Sequence, residues 1–275
     1  MAGKGLVSII MLSHGDDAQA CETVKSVLSQ TYHNWELLFV AESNDKALSM
    51  VLEMRAEDAR LLRAVNINEP SCYQSESRIK VSYIYDQNKV TPRRNSALRD
   101  TRGKWIAFLD AGDIWKPTKL EEQIAFMEQN GYAFSYTKYS LIDKDSKDRG
   151  FLIGGKEKVT YQEMMKCCWP AYMTVMYDAE KIGKLTLKNL KSNNDYALWL
   201  KVSEKADCYL LDECLAKLRT PGGRLGKYLK TNKIKWRYEV YRIEKEMNPV
   251  VACLMTIRNM WYGMVKRVKY VKKVR

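Results

Sequence analysis

Two histidines in 275 residues, and no Cys-x-x-Cys pair among seven cysteines at positions 21, 72, 167, 168, 208, 214 and 253, leave no ligand pattern for a structural zinc site. The odd cysteine count argues against a disulfide framework, so these residues read as small buried hydrophobes. Long apolar runs are scarce too. The opening MAGKGLVSIIMLSHG holds only a short one, cut by Ser13, His14 and Gly15, so no cleavable leader is expected and the chain is expected to stay in the cytoplasm. Acids are missing from one place in particular. From Ala216 to Arg275 there are 17 Lys+Arg and 3 Asp+Glu, net +14, whereas residues 1–215 carry 29 against 30, net −1. A nearly neutral body with a basic end argues against a main face that grips nucleic acid, and points the tail at something anionic. What is present, 46% hydrophobic and 29% charged residues, suffices for one large domain, or one domain with a sizeable appendage.

Along the chain, LVSIIML (6–12) reads as a buried strand, Cys21, Val24, Val27 and Leu28 recur at helical spacing, ELLFVA (36–41) is a second strand, and Ala47, Met50, Val51 and Met54 mark a second helix. This β-α-β-α order with near-continuous apolar strands predicts an α/β fold: a mainly parallel, Rossmann-like central sheet with helices on both faces and ligands beyond the carboxyl ends of the strands. A polar stretch (64–77) follows as a loop, then a strand at 78–85, a helix at 93–102 and the apolar strand KWIAFLD (104–110). Pro117 fits the first turn of a helix that Gly131 ends.

Asp110 and Asp113 therefore sit where an α/β protein keeps its ligand. The pair has two readings: Asp113 caps the following helix while Asp110 closes a turn, or both hold a hard divalent cation whose other positions go to phosphate oxygens. Spacing alone leaves both open.

Three segments, VSIIMLSHG, TVKSVLSQTYHNWELLFV and RRNSALRDTRGKWIAFLDAGDIWKPTKLEEQIAFM, resemble family 2 glycosyltransferases of the GT-A fold, and bacterial members that build surface polysaccharides such as teichuronic acid in particular. The likeness continues through NDYALWLKV (194–202) and NKIKWRYEVYR (232–242). It implies an inverting transferase that binds a nucleotide-sugar donor through an Asp-x-Asp motif and a divalent metal, Mn²⁺ or Mg²⁺, and passes the sugar to a glycan or lipid-linked acceptor. By position it implies donor contacts at Ser13, His14, Glu42, Arg94 and Asp110, metal ligands Asp110 and Asp113, and Asp195 as the catalytic base. Asp195 also reads as a helix N-cap, Arg94 as an internal salt bridge, and Glu42 and His14 as surface residues. Gly112 stands where the family motif has an acid, and Ala41-Glu42 where it often has acids. An inactive binding or scaffold protein on this fold, or a nucleotidyltransferase, are the competing readings. The division implied is a GT-A domain at 1–215, with a nucleotide-sugar half to about 115 and an acceptor half after it lined by 151–192, and a basic helical region at 216–275.

In the tail, Val250, Leu254, Ile257, Trp261, Met264, Val265 and Val268 fall on one side of a helix, with Asn259, Lys266, Lys269 and Lys273 opposite. Such a helix, too short in apolar residues to span a bilayer, suits an anionic membrane surface met through 250–275, peripheral at the inner face. It equally suits packing on the protein's own body or on a second copy as a homodimer.

Overall fold

The computed structural model describes residues 5–13, 17–41, 46–66, 77–83, 90–190, 194–220 and 233–274. Its first half alternates β1 (Val7–Leu12), α1 (Asp17–Leu28), β2 (Trp35–Ala41), α2 (Ala47–Asn66), β3 (Ile79–Tyr83), α3 (Val90–Asp100) and β4 (Trp105–Asp110). These strands pair in parallel in the order β3-β2-β1-β4. Every residue of β1 and β2 is buried, as expected of central strands covered on both faces.

One polar pair breaks that apolar pattern. Ser8 donates to Glu36 at 2.6 Å, and Lys80 and Arg102 converge on the same carboxylate. Burial would push the Glu36 pKa up, but the hydrogen bonds from Lys80, Ser8 and the Arg102 amide outweigh it and hold the group ionised. Gly103 allows this close approach, because a Cβ there would lie 2.5 Å from the Leu6 carbonyl oxygen.

Past β4 come β5 (Ile114–Trp115), α4 (Lys119–Asn130), β6 (Phe134–Ile142), β7 (Asp148–Ile153), β8 (Lys158–Val159), α5 (Tyr161–Lys166), a 3₁₀ turn at Tyr172–Thr174, β9 (Met176–Asp178), α6 (Ala179–Ile182), α7 (Asn194–Ser203) and β10 (Cys208–Arg219). Here the sheet becomes mixed: β9 runs antiparallel to both β4 and β6, while β10 runs parallel to β6. Asp113 does not cap α4. The helix begins after Thr118, which makes no side-chain cap, and Gln30 serves instead, its Oε1 accepting from the Leu120 amide while its Nε2 donates to the Lys116 carbonyl.

The chain ends with α8 (Lys233–Glu239), a π-helical turn (Val240–Glu244), α9 (Pro249–Tyr270) and β11 (Val271–Lys273). β10 runs through the boundary expected at 215, and β11 adds an antiparallel edge strand to β7. Val240, Tyr241 and Ala252 belong to the same core cluster as β4 and α7. A buried knot fixes α9: the Tyr196 and Tyr241 hydroxyls lie 2.9 Å apart, Asn259 donates to both at 3.1 Å, and they donate to the Met164 and Met165 carbonyls. The basic region is thus built onto the body. Its body-facing residues are Ala252, Thr256 and Asn259, and its apolar stripe points outward, with Leu254 61%, Trp261 62% and Val268 88% exposed.

Candidate active site

Parallel register brings three strand ends to one edge, since Leu12 pairs with Val40 on one side and with Asp110 on the other. Arg93, buried in α3, clamps that edge by donating from Nη2 to the carbonyls of Ser13 (2.7 Å) and Val40 (2.8 Å). Its neighbour Arg94 is buried as well and faces the other way. The Arg94 guanidinium lies 4.4 Å from the ring centre of Tyr172, and neither its Nε nor its Nη1 has a hydrogen-bond partner.

α7 delivers Asp195 to the same place. Thr91 donates to the Leu190 carbonyl (3.0 Å) and to Asn194 Oδ1 (2.6 Å), and Asn95 exchanges two hydrogen bonds with the backbone of Leu187. These contacts tie the approach to α7 onto α3. Trp199 then anchors the helix in the core, its ring centre 5.0 Å from Phe108 and 6.1 Å from Tyr172. Asp195 stands one helical turn before Trp199 on the same face, and Asp110 stands two residues after Phe108 on the same face of β4. Electrostatics agree. Burial would lower the Arg94 pKa, but Tyr172, Asp110 and Asp195 more than offset it and keep it raised. Burial pushes the Tyr172 hydroxyl up, Arg94 opposes, and Asp110 and Asp195 add to the rise. One buried cation thus lies within the electrostatic reach of two partly exposed carboxylates and against a tyrosine ring.

Asp113 is placed differently. It is 6% exposed, and its Oδ1 accepts from the Arg219 backbone amide at 3.0 Å. Its surroundings staple the acidic turn: Thr23 Oγ1 accepts from the Gly112 amide (2.9 Å) and donates to the Asp113 carbonyl (2.8 Å), while Arg219 Nε donates to the Gly112 carbonyl (2.8 Å). Arg219 also reaches Glu22 and the carbonyls of Asp143 and Lys144, so it is a structural hub. Gly112 has φ +108°, a backbone that an acidic residue at this position would adopt only with strain. Burial, with the Asp110 charge beside it, pushes the Asp113 pKa well above the usual carboxylate range, and the Arg219 amide pulls it partly back. Two carboxylates in mutual repulsion next to a polar edge suit a hard divalent cation. No group of three or more His, Cys, Asp or Glu side chains stands ready to hold a metal among the described residues.

Of the residues expected from sequence, Arg94, Asp110 and Asp195 come together. Ser13 lies on the same edge with its carbonyl taken by Arg93, and Asp113 lies behind the turn. His14 and Glu42 fall outside the described residues. Tyr172, Arg93 and Arg219 were missed. Each works through contacts across dozens of residues, and only the buried aromatic-rich spacing around Trp169–Tyr172 offered a signal.

Carboxylates and an arginine beyond the carboxyl ends of parallel strands stand where an open α/β sheet keeps its ligand. The sequence pattern described as "Glycosyl transferase family 2" matches residues 8–178, and the chain belongs to that family of enzymes. It is 32% identical over 218 residues to TuaG of Bacillus subtilis, named for teichuronic acid biosynthesis, covering 78% of this chain and 79% of TuaG. It is 34% identical over 198 residues to the UDP-Glc:alpha-D-GlcNAc-diphosphoundecaprenol beta-1,3-glucosyltransferase WfgD of Escherichia coli, covering 72% and 69%. The fold matches that of S. aureus TarS in complex with UDP-GlcNAc, at TM-score 0.66 and 16% identity over 96% of this chain and 74% of that one. It also matches the mannosyltransferase PcManGT of Pyrobaculum calidifontis in complex with GDP-Man and Mn²⁺, at TM-score 0.60 and 11% identity over 97% and 74%. The GT-A architecture expected from sequence is thus the one observed.

Proposed function

We propose that this enzyme moves a sugar, with inversion, from a nucleoside diphosphate sugar to a lipid-linked glycan acceptor in cell-surface polysaccharide synthesis. The observation that carries this reading is the buried Arg94 guanidinium, 4.4 Å from the centre of the Tyr172 ring and within the electrostatic reach of Asp110 and Asp195. The donor diphosphate lies beside Asp110 and Arg94, whose guanidinium receives the negative charge that grows as the diphosphate leaves. Asp195 takes the proton of the acceptor hydroxyl as the oxygen attacks the sugar's anomeric carbon, a role worth about 10²–10⁴-fold in rate. Burial of Arg94 keeps its charge aimed at the site without rearrangement during reaction. A divalent cation, held by Asp110 with the Asp113 charge behind it, would supply further neutralisation of the diphosphate. Ser13, and by sequence His14 and Glu42, belong to the nucleotide side.

The relatives, one named for teichuronic acid biosynthesis and one for a diphosphoundecaprenol-linked sugar acceptor, support the acceptor class. The outward apolar stripe of α9 supports a peripheral place on an anionic membrane: no helix among the described residues is long and apolar enough to cross one. The test is transfer from a panel of UDP-, GDP-, CDP- and dTDP-sugars to a diphosphate-linked sugar acceptor, with and without Mn²⁺ or Mg²⁺. Transfer with inversion, slowed about 10²–10⁴-fold by Asp195→Asn, is expected. Donor binding without transfer to any acceptor would overturn the proposal in favour of a binding protein.

A further inference from the structure

Arginine is seldom buried without a charged partner, because a carboxylate is what ordinarily repays the loss of water. Arg94 is 5% exposed, forms no ion pair with a described residue, and has no hydrogen-bond partner for Nε or Nη1. What it has instead is a ring, the face of Tyr172, whose centre lies 4.4 Å from the guanidinium carbon. The two kinds of partner differ in what they leave free. A carboxylate fixes a guanidinium by taking its N–H groups, whereas an aromatic face attracts the cation through the negative side of its π-system and takes none. Two buried donors are thereby kept unpaired, a cost that an anion arriving at the site would relieve.

The ring is itself fixed from several sides. Tyr172, 6% exposed, opens the 3₁₀ turn Tyr172–Thr174, and that turn is fastened by its next two carbonyls: Met173 accepts from Trp115 Nε1 at 2.7 Å and Thr174 from Gln123 Nε2 at 3.1 Å. Trp115 stands two residues beyond Asp113. The Tyr172 ring centre lies 5.1 Å from that of Phe108 and 6.1 Å from that of Trp199. Phe108 precedes Asp110 by two positions on β4, and Trp199 follows Asp195 by four on α7. One side chain thus packs on β4 and on α7 while carrying the cation of α3 on its face. The Tyr172 hydroxyl adds nothing to this, since it is buried without a hydrogen-bond partner. The ring is the part that acts.

We propose that Tyr172 is a positioning residue: its ring face holds the Arg94 guanidinium with Nε and Nη1 unpaired, so that both donors stay available to the oxygens of the donor's diphosphate. This rests on the nucleoside diphosphate donor read above, and adds to it a residue that lies outside the acidic motif and acts only through the arginine. Phenylalanine at 172 would serve the same purpose; an aliphatic side chain would fill the space without attracting the cation.

UDP, GDP, CDP and dTDP are titrated calorimetrically into the full chain with Mn²⁺, and the one that binds most tightly is carried to the variants, each checked for folding by its thermal melt. Tyr172→Leu should weaken that binding about tenfold. Tyr172→Met, a flexible filler, gives the same reading should the leucine variant melt early. Tyr172→Phe, which keeps the ring and removes an unpaired hydroxyl, should bind within about threefold of the parent. Arg94→Met should weaken binding about tenfold or more, and adding Tyr172→Leu to it should weaken binding no further, because a residue that acts through Arg94 has nothing to act on once Arg94 is gone. A loss from Tyr172→Leu of the same size in both backgrounds would reduce Tyr172 to packing and overturn the proposal. Full affinity in Tyr172→Leu would do so too, as would Tyr172→Phe as damaging as Tyr172→Leu, which would hand the role to the hydroxyl. Binding of none of the four nucleotides by the parent would overturn the donor reading and this proposal with it. The expected pattern in a protein that transfers sugar to no acceptor would overturn the functional reading alone.

Discussion

Replacing Asp113 separates the scaffold of the acidic turn from its charge. In Asp113→Ala the Arg219 amide, now bonded to Oδ1 at 3.0 Å, loses its acceptor in a buried place, which costs about 1–3 kcal/mol. Asp113→Asn keeps an oxygen at that position and removes the charge that burial and Asp110 oppose, so it should lie within about 1 kcal/mol of the parent, on either side. For a chain of this size the gap between the two variants amounts to about 3–9 °C in Tm. The pH dependence gives a second handle. A carboxyl with a raised folded pKa binds protons more readily in the folded state than in the unfolded one, so its contribution is fully present below the ordinary carboxylate pKa of about 4 and is lost as pH rises through the raised value. Asp113→Asn should therefore gain on the parent as pH rises from about 4 toward neutrality, and the two should converge in acid. Thermal melts followed by circular dichroism between pH 4 and 8 measure all three proteins. Asparagine as damaging as alanine, or a parent-to-asparagine difference independent of pH, would refute the reasoning.

Asp195→Asn should reduce kcat by about 10²–10⁴-fold while donor affinity, measured by calorimetry, stays within a few-fold; a matching loss of donor affinity would contradict the base assignment. Leu254→Glu/Trp261→Glu should abolish binding to anionic vesicles without changing transfer to a soluble acceptor, because both side chains lie on the outward face of α9; co-sedimentation unchanged by the pair would place the contact elsewhere. Lys119 is fully buried with no hydrogen-bond partner for Nζ, which lies 3.9 Å from the centre of the Trp115 ring, and burial lowers its pKa well below the ordinary value. The unfolded chain therefore holds its proton to higher pH than the folded one, and stability should rise with pH up to about 10. Lys119→Met should be more stable in urea at pH 7, by about 1–3 kcal/mol, with the advantage shrinking toward pH 10; an advantage that grows with pH would reverse the sign.

The strands were legible because each is a compact apolar run with nothing to confuse its period. The acids closing β4 were legible as a site because a parallel sheet leaves only that end free. The mixed half was less so: β9 and β11 are three residues each, too short for periodicity, and they exist because neighbouring edges need partners. Arg94, Asp110 and Asp195 were reached by resemblance, while the residues that hold them were not. Thr91, Asn95, Arg93 and Arg219 act by side-chain hydrogen bonds to backbone across 53 to 107 positions, and such pairings leave no trace in local spacing. The tail shows the same division. Its amphipathic pattern was plain, but that pattern favours burying the apolar stripe wherever a surface is offered. Here the polar side is buried, because the hydroxyls of Tyr196 and Tyr241 sit in the core and Asn259 is the donor that satisfies both. Satisfying two buried hydroxyls thus fixes the rotation of α9, turns its apolar stripe outward, and sets Lys266 against the Cys168 and Trp169 carbonyls. A chain with Leu at 259 would lose that constraint, and with it the register between the outward apolar stripe and the site.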